Sequence, residues 1–339
     1  MKKLRILALM HNTLVPPEDI AGHDLAEAGW KMEYDVTTNL RALGHEVLNI
    51  GVGEDLGLIR KSIEEWKPDV AFNMLEDFHD VGVFDQNIVS YLELLRVPYT
   101  GCNPRGLMLA RDKGLAKMLL SYHRIPVPEF TVIQVGRAVR RPKRLGFPLI
   151  VKSLTKEASQ GISQASVVDS EEKLRERVQF IHETVGTDAI VERYVDGREF
   201  YIGIVGNQRL QVFPVWELNL SQMEAHWRIA TDRVKWNRAY QTRHKIQTHV
   251  VKNLEEGLAD RIQHLCKRVY MTLSLSGYAR IDVRVDAEGK MYVLEANPNP
   301  QLAHGEDFAD SAEHAGITYH DLLQRIVNLG LSWRPERLG

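Results

Sequence analysis

The side chains best placed to do chemistry lie in one stretch near the C-terminal end, YARIDVRVDAEGKMYVLEANPNP (residues 278–300). Two strand-like runs are joined there by DAEG, whose Gly289 can take the positive φ that a tight turn demands. Alternation puts Arg280, Asp282 and Arg284 on one face of the first strand, with Ile281, Val283 and Val285 on the other. On the second strand Glu295 and Asn297 share a face, opposite Leu294 and Ala296. If the two polar faces coincide, Asp282, Glu295 and Asn297 converge as three hard oxygen donors. Mg²⁺ prefers such a set, usually completed by phosphate oxygens and water. A solvated hairpin with polar-out alternation is the bland alternative. Against it stand an asparagine wedged between Ala296 and Pro298 and an acid inside a β-rich run.

A second candidate is the polar segment HWRIATDRVKWNRAYQTRHKIQ (226–247), where six basic residues alternate with Trp227, Trp236 and Tyr240. Such interleaving suits single-stranded nucleic acid. It suits equally a loop closing over a triphosphate, or a charged surface loop. The other basic run, GRAVRRPKRLG (136–146), reads as a solvated linker.

These residues need elements to hold them. Over the first hundred residues strands alternate with helices: Leu4–Leu9, His45–Ile50, Val70–Met74 and a short Pro98–Thr100, with amphipathic stretches Tyr34–Leu43 and Leu58–Trp66 between. That order predicts a parallel sheet with helices on its faces. No G-x-G-x-x-G follows the first strand, and GVGEDLG (51–57) has the wrong spacing, so dinucleotide binding is not expected. Pro98, Gly101, Pro104 and Gly106 mark a boundary. Beyond it come a helix over Leu107–His123, strands Phe147–Leu154 and Asp188–Val195 around a helix Ser170–Thr184, and further strands from Arg198. A helix Leu254–Ser274, the hairpin and a helix Tyr319–Leu329 complete the chain. The reading divides it into residues 1–101, 102–187 and 188–339, an α/β unit followed by α+β units.

With 43 basic and 45 acidic residues the 339-residue chain has a formal net charge of −2, which gives no global case for nucleic acid or an anionic membrane. The start MKKLRILALMHN imitates a leader, but Arg5 interrupts it and no small-residue cleavage site follows, so a first strand is expected. Only Cys102 and Cys266 occur, excluding a disulfide framework. No apolar stretch approaches the ~18 residues that span a bilayer. A soluble cytoplasmic protein is the expectation.

At this point the motifs resemble a known family. GYARIDVRVDAEGKMYVLEANPNP is similar to the C-terminal motif of ATP-grasp ligases. LLRVPYTGCNPRGLMLARDKGLAKMLL (94–120) with RIPVPEF (124–130) resembles the D-alanine–D-alanine ligase-like branch. The likeness holds over about 70–128, 149–206 and 277–323. It implies an ATP-grasp fold behind an N-terminal Rossmann-like (pre-ATP-grasp) domain. It also implies ATP, two Mg²⁺ ions (with Mn²⁺ as an alternative), small amino acid or peptide substrates, and a homodimer as a frequent assembly. A carboxylate attacks the γ-phosphate to give an acylphosphate, which an amine converts to an amide. Carboxylate attack on a polyanion is repulsive, so cations must be fixed beside the transferring group.

Carried onto this sequence, the resemblance gives Lys113 and Lys152 as phosphate-binding lysines. Lys152 ends the apolar run FPLIV, which aims its ammonium into a cleft. Glu192 matches the acid near the adenine amino group, Tyr194 and Val195 the backbone along the ring, and Glu199 the ribose acid. KEASQGIS (156–163) corresponds to the lid over the phosphates, where Ser159 and Gly161 keep amides accessible. Lys235 followed by Trp236 is the best match to a catalytic Lys–aromatic pair. Arg280 matches the arginine that grips substrate carboxylate and steadies the tetrahedral intermediate.

The likeness weakens at the substrate end. The first lid serine is replaced by Ala158, and the N-terminal Gly-Gly-x-Ser stretch with its amine-binding glutamate is missing. Asp35 is offered as a shorter counterpart. Gln301 stands where the family has a glycine whose amide binds the second substrate's carboxylate. An ATP-dependent carboxylate–amine ligase is therefore expected. A strict D-alanine–D-alanine ligase of cell-wall synthesis and a non-catalytic ATP-binding regulatory protein are the alternatives. Gln301→Gly should shift the preference among acceptor amines in a product assay; an unchanged amine profile removes position 301 from the pocket.

Overall fold

The structure is a computed structural model that describes residues 2–335, apart from 157–160, 221–226, 232–233, 235–236, 245 and 252–253. The expected N-terminal sheet is present. β1 (Arg5–His11), β2 (Glu46–Val52) and β3 (Val70–Asn73) run parallel in the order β2-β1-β3. β1 is buried along its five central residues because both faces are covered. Ile6, Ala8 and Met10 pack on helices Lys31–Ala42 and Tyr319–Ser332, while Leu7 and Leu9 pack towards helices Leu56–Trp66 and Asp85–Leu94. Coverage on both sides is why the run is continuously apolar. Pro98–Thr100 contributes only one parallel bridge, Tyr99 to Ala71.

The helix expected over Leu107–His123 is two helices, Pro104–Arg111 and Lys113–Tyr122. Asp112 breaks them: its backbone is extended and its carboxylate accepts from the Leu115 amide at 2.9 Å. A side-chain N-cap of this kind restarts a helix in a new direction, and it turns Lys113 and Lys117 inward, where both are buried.

Next comes an antiparallel sheet of β4 (Phe130–Ile133), β5 (Leu149–Ser153), β6 (Val167–Val168) and β7 (Ala189–Arg193), in the order β4-β7-β5-β6. Helix Glu171–Phe180 covers one face through Leu174 and Val178. β7 is hydrogen-bonded between β4 and β5, so this sheet runs on past residue 187. The largest sheet holds β8 (Arg198–Val205), β9 (Gln211–Val212), β10 (Trp216–Asn219), β11 (Gln247–Val250), β12 (Tyr278–Val285) and β13 (Met291–Pro298). Its order is β11-β10-β8-β12-β13, with β9 on β8. Helix Leu258–Thr272 backs it with Ile262, Leu265 and Val269. Among the described residues no helix is long and apolar enough to cross a membrane.

One joint ties the first sheet to the last. The Cys102 amide donates to Asn299 Oδ1 at 2.8 Å, the Asn103 amide to Ser276 Oγ at 2.9 Å, and Asn103 Nδ2 to the Ser274 carbonyl at 2.7 Å. Gly277 has φ +71°, and a Cβ there would lie 2.4 Å from the Gly101 carbonyl oxygen. Gly289, at φ +76°, faces open space. Gly289→Ala should cost only the left-handed strain of about 1–2 kcal/mol. Gly277→Ala carries a backbone clash as well and should be the more destabilising in denaturant titration. Equal losses would mean that the joint yields.

Candidate active site

Strand register builds the site. Tyr201 on β8 pairs with Asp282 on β12, and Asp282 with Glu295 on β13. The next row pairs Arg280 with Asn297, and the row on the other side pairs Glu199 with Arg284. Directly opposite residues share a face, so Asp282, Glu295 and Asn297 stand on one face of the sheet, as the alternation implied. An irregularity in the β12–β13 ladder between Asp282 and Val283 sets the end of the regular alternation. Asp282 is buried and accepts from Arg280 through both oxygens, at 2.8 and 3.0 Å. Burial alone would lower the Arg280 pKa; the Asp282 carboxylate more than offsets it and holds the guanidinium charged.

A second charged group sits beside this row. Glu192, on β7, is 1% exposed and lies 3.4 Å from Lys117 Nζ and 3.3 Å from Lys152 Nζ. Burial favours its neutral form, but the two ammonium groups prevail and keep its pKa below the usual range. The lysines themselves differ. Burial wins at Lys117 and lowers its pKa, whereas at Lys152 the fields of Glu192 and Glu295 overcome burial and raise it. Lys117 also donates to the Leu294 carbonyl at 2.7 Å, next to Glu295. Lys113 instead reaches the Lys156 carbonyl at 2.6 Å. Sequence reasoning singled out Lys113 and missed Lys117. The signal was in the same motif: four residues on, in RDKGLAK, is the same helix face.

Lys152, Glu192, Tyr194, Val195, Glu199, Asp282 and Glu295 line one cavity. Arg284 spans its floor, donating to the Val195 carbonyl at 3.0 Å and forming a short bond to Glu199. Glu199 also accepts from the Tyr201 hydroxyl at 3.2 Å. Gly161 has φ +73°, and its carbonyl accepts a short bond from Arg177. Ser159 and Lys235 lie outside the described residues.

On the other side of the Arg280–Asn297 row is a cleft of about 710 Å³. Arg280, Asn297, Gln301, Glu76, Trp216 and Asp307 are among its walls. Asn297 Nδ2 and Gln301 Oε1 are buried without a hydrogen-bond partner. Asp35 does not line this cleft. Its carboxylate accepts from Lys31 at 2.7 Å and from the His304 amide at 3.0 Å, pinning helix Lys31–Ala42 to the chain after β13. Glu33, two residues earlier and hence on another helix face, is 1% exposed with neither carboxylate oxygen hydrogen-bonded. Burial, with a contribution from Glu76, raises its pKa to about 7. Glu76 follows β3 beyond its carboxyl end, where parallel sheets present ligand crevices.

Glu33 favours folding in its neutral form, so its contribution is complete below pH 4.5 and is lost as pH rises through about 7. Charging it inside the fold costs on the order of 3 kcal/mol. In denaturant titrations from pH 5 to 8 the wild type should lose about that much stability relative to Glu33→Gln. Parallel pH profiles would show that Glu33 is not held in this environment.

Comparison with known proteins places this geometry. The family model described as the D-ala D-ala ligase C-terminus matches residues 119–328. A D-alanine–D-alanine ligase of Desulforudis audaxviator is 30% identical over 302 residues, covering 87% of this chain and 90% of the relative. An uncharacterized protein, y4sG, of Sinorhizobium fredii is 29% identical over 301 residues, covering 87% and 85%. Among solved structures, the Bacillus anthracis D-alanine–D-alanine ligase complexed with ATP superposes with a TM-score of 0.75 at 22% identity, covering 97% of each chain. VanG D-Ala:D-Ser ligase from Enterococcus faecalis gives 0.70 at 18%, covering 97% of this chain and 100% of that one. The chain belongs to the D-alanine–D-alanine ligase family and is an ATP-grasp ligase.

Proposed function

We propose that the protein joins a carboxylate to an amine, both from amino acids or small peptides, through an acylphosphate, with release of ADP and phosphate. One observation carries this reading: a single sheet face stands between two cavities. Asp282 and Glu295 face the first, and Arg280 and Asn297, one row on, face the second. A phosphoryl group on one side and an acceptor on the other would meet across those rows.

In this reading ATP lies in the first cavity, with its base against Tyr194 and Val195 and its ribose near Glu199. Lys152 and Lys113 compensate phosphate charge, with Lys117 joined to Lys152 through Glu192. Asp282, Glu295 and the side-chain oxygen of Asn297 would hold Mg²⁺, and a set of three hard oxygen donors on one sheet face fits such a cation. When bound, the metal would neutralise charge on the transferring phosphoryl group. The donor carboxylate oxygen attacks the γ-phosphorus and ADP departs. The acceptor nitrogen then attacks the acyl carbon, phosphate departs, and the nitrogen gives up its proton. Arg280, already fixed by Asp282, presents a planar cation to the substrate carboxylate and to the oxyanion that follows. Glu33, rather than Asp35, is the acid that would receive a substrate ammonium, because its oxygens have no hydrogen-bond donor and its neighbour Glu76 lines the cleft.

A survey of ADP release across amino acids and dipeptides, with products read by mass spectrometry, tests the reading and separates D-alanyl-D-alanine from other products. Asp282→Asn and Glu295→Gln should each reduce metal-dependent ADP formation by at least about 100-fold, with circular dichroism unchanged. Normal turnover in both would remove the metal assignment. Arg280→Ala should suppress product more than nucleotide affinity; loss of ATP binding alone would contradict its role.

A further inference from the structure

The segment 227–231 crosses from beyond β10 onto the central sheet and is fastened there. Gln164 Nε2 donates to the Trp227 carbonyl at 3.0 Å, and Gln164 Oε1 accepts from the Trp227 amide at 3.3 Å. One side-chain amide thus meets both backbone groups of one residue, as a neighbouring strand would. The Trp227 ring stands edge-on to Tyr194 with 5.1 Å between centroids, and the Tyr194 hydroxyl donates to the Arg228 carbonyl at 3.4 Å. Ile229 joins Ile150, Val167 and Tyr194 in an apolar cluster. The base of the fastening is itself held. Gln164 opens a short 3₁₀ turn, Gln164–Ser166, whose Ser166 hydroxyl accepts from buried Arg177 at 2.8 Å.

Behind this strap the cavity lined by Lys152, Glu192, Tyr194, Val195, Asp282 and Glu295 measures about 60 Å³. Small-molecule sites usually run to about 300–1,000 Å³. Ile229 and Ala230 are themselves part of the cavity wall, so the strap bounds the space left for a base against Ile150 and Tyr194. We propose that Gln164 is a latch that holds segment 227–231 across the nucleotide cleft, and that nucleotide binding requires the latch to open. The inference rests on reading this cleft as the ATP site. Gln164 touches no reacting atom; it is a positioning residue acting through Trp227 and Ile229.

When only the open fraction is competent, the apparent dissociation constant is the intrinsic one divided by that fraction. Losing the latch therefore tightens binding, where loss of an ordinary site residue would weaken it. The test is stopped-flow binding of N-methylanthraniloyl-ADP with Mg²⁺ to the full-length wild type, Gln164→Ala and Gln164→Glu. The Ala variant should associate roughly tenfold faster and bind correspondingly tighter. The Glu variant keeps an acceptor for the Trp227 amide but sets a carboxylate oxygen against the Trp227 carbonyl, so it should open the latch at least as far as Ala; it also carries the test if the Ala variant does not fold. Unchanged or slower association in the variants overturns the latch. A wild type that binds no nucleotide overturns the reading of the cleft on which the latch rests.

Discussion

A carboxylate withdrawn from water between two lysines sets the terms for the rest of this structure. Removing an ion from water costs several kcal/mol even after relaxation, and a partner repays it only when the geometry is well held. Glu192 meets that condition because its strand, β7, is central in its sheet, because Lys152 comes from the adjacent β5, and because Asp112 restarts a helix that drives Lys117 in from the side. The Lys117 ammonium also takes the Leu294 carbonyl of β13. One buried charge cluster therefore fastens the central sheet to the large one along the cavity that both sheets line.

The same logic extends across the large sheet. Asp282 is buried with Arg280, and Glu199 with Arg284, so each acid of the β8–β12 face comes with its own cation. Such pairing keeps acids in place without neutralising them by protonation. It also leaves the neighbouring cavity walls polar and fixed, which a polyanion and a metal require. Glu33 is the exception. It is buried with its two oxygens unbonded and its pKa raised, a costly arrangement that a cationic group from a ligand would relieve.

Much of this was legible in the sequence because it depends on local periodicity. The faces of β12 and β13 follow from alternation alone, and register joined Asp282 to Glu295 as the pattern implied. The parallel N-terminal sheet followed from the order of strands and helices. The break at Asp112 was not seen, since RGLMLARDKGLAKMLL keeps helical spacing across it and only the extended Asp112 backbone reveals the cap. Glu33 was not considered beside Asp35, because local spacing cannot say which helix face meets the sheet. Lys117 was passed over because a second lysine one turn on resembles a solvated one until Glu192 is placed beside it.

The sequence by itself determined what each element is and which side chains share its faces, because alternation and the helical turn are properties of a few consecutive residues. It also carried the motifs by which the chain is recognised as a member of its family. Tertiary structure alone decided which charges meet. Glu192 lies 3.4 Å from a lysine 75 positions earlier in the chain, and Gln164 grips the backbone of Trp227, 63 positions later. Such pairings depend on how separate sheets pack, and no local pattern encodes them. Asn299, beyond Glu295 and Asn297 at the end of β13, shows both levels at once. Its place in NPNP is plain in the sequence, but that it bolts the first sheet to the last through the Cys102 amide appears only when the chain is folded.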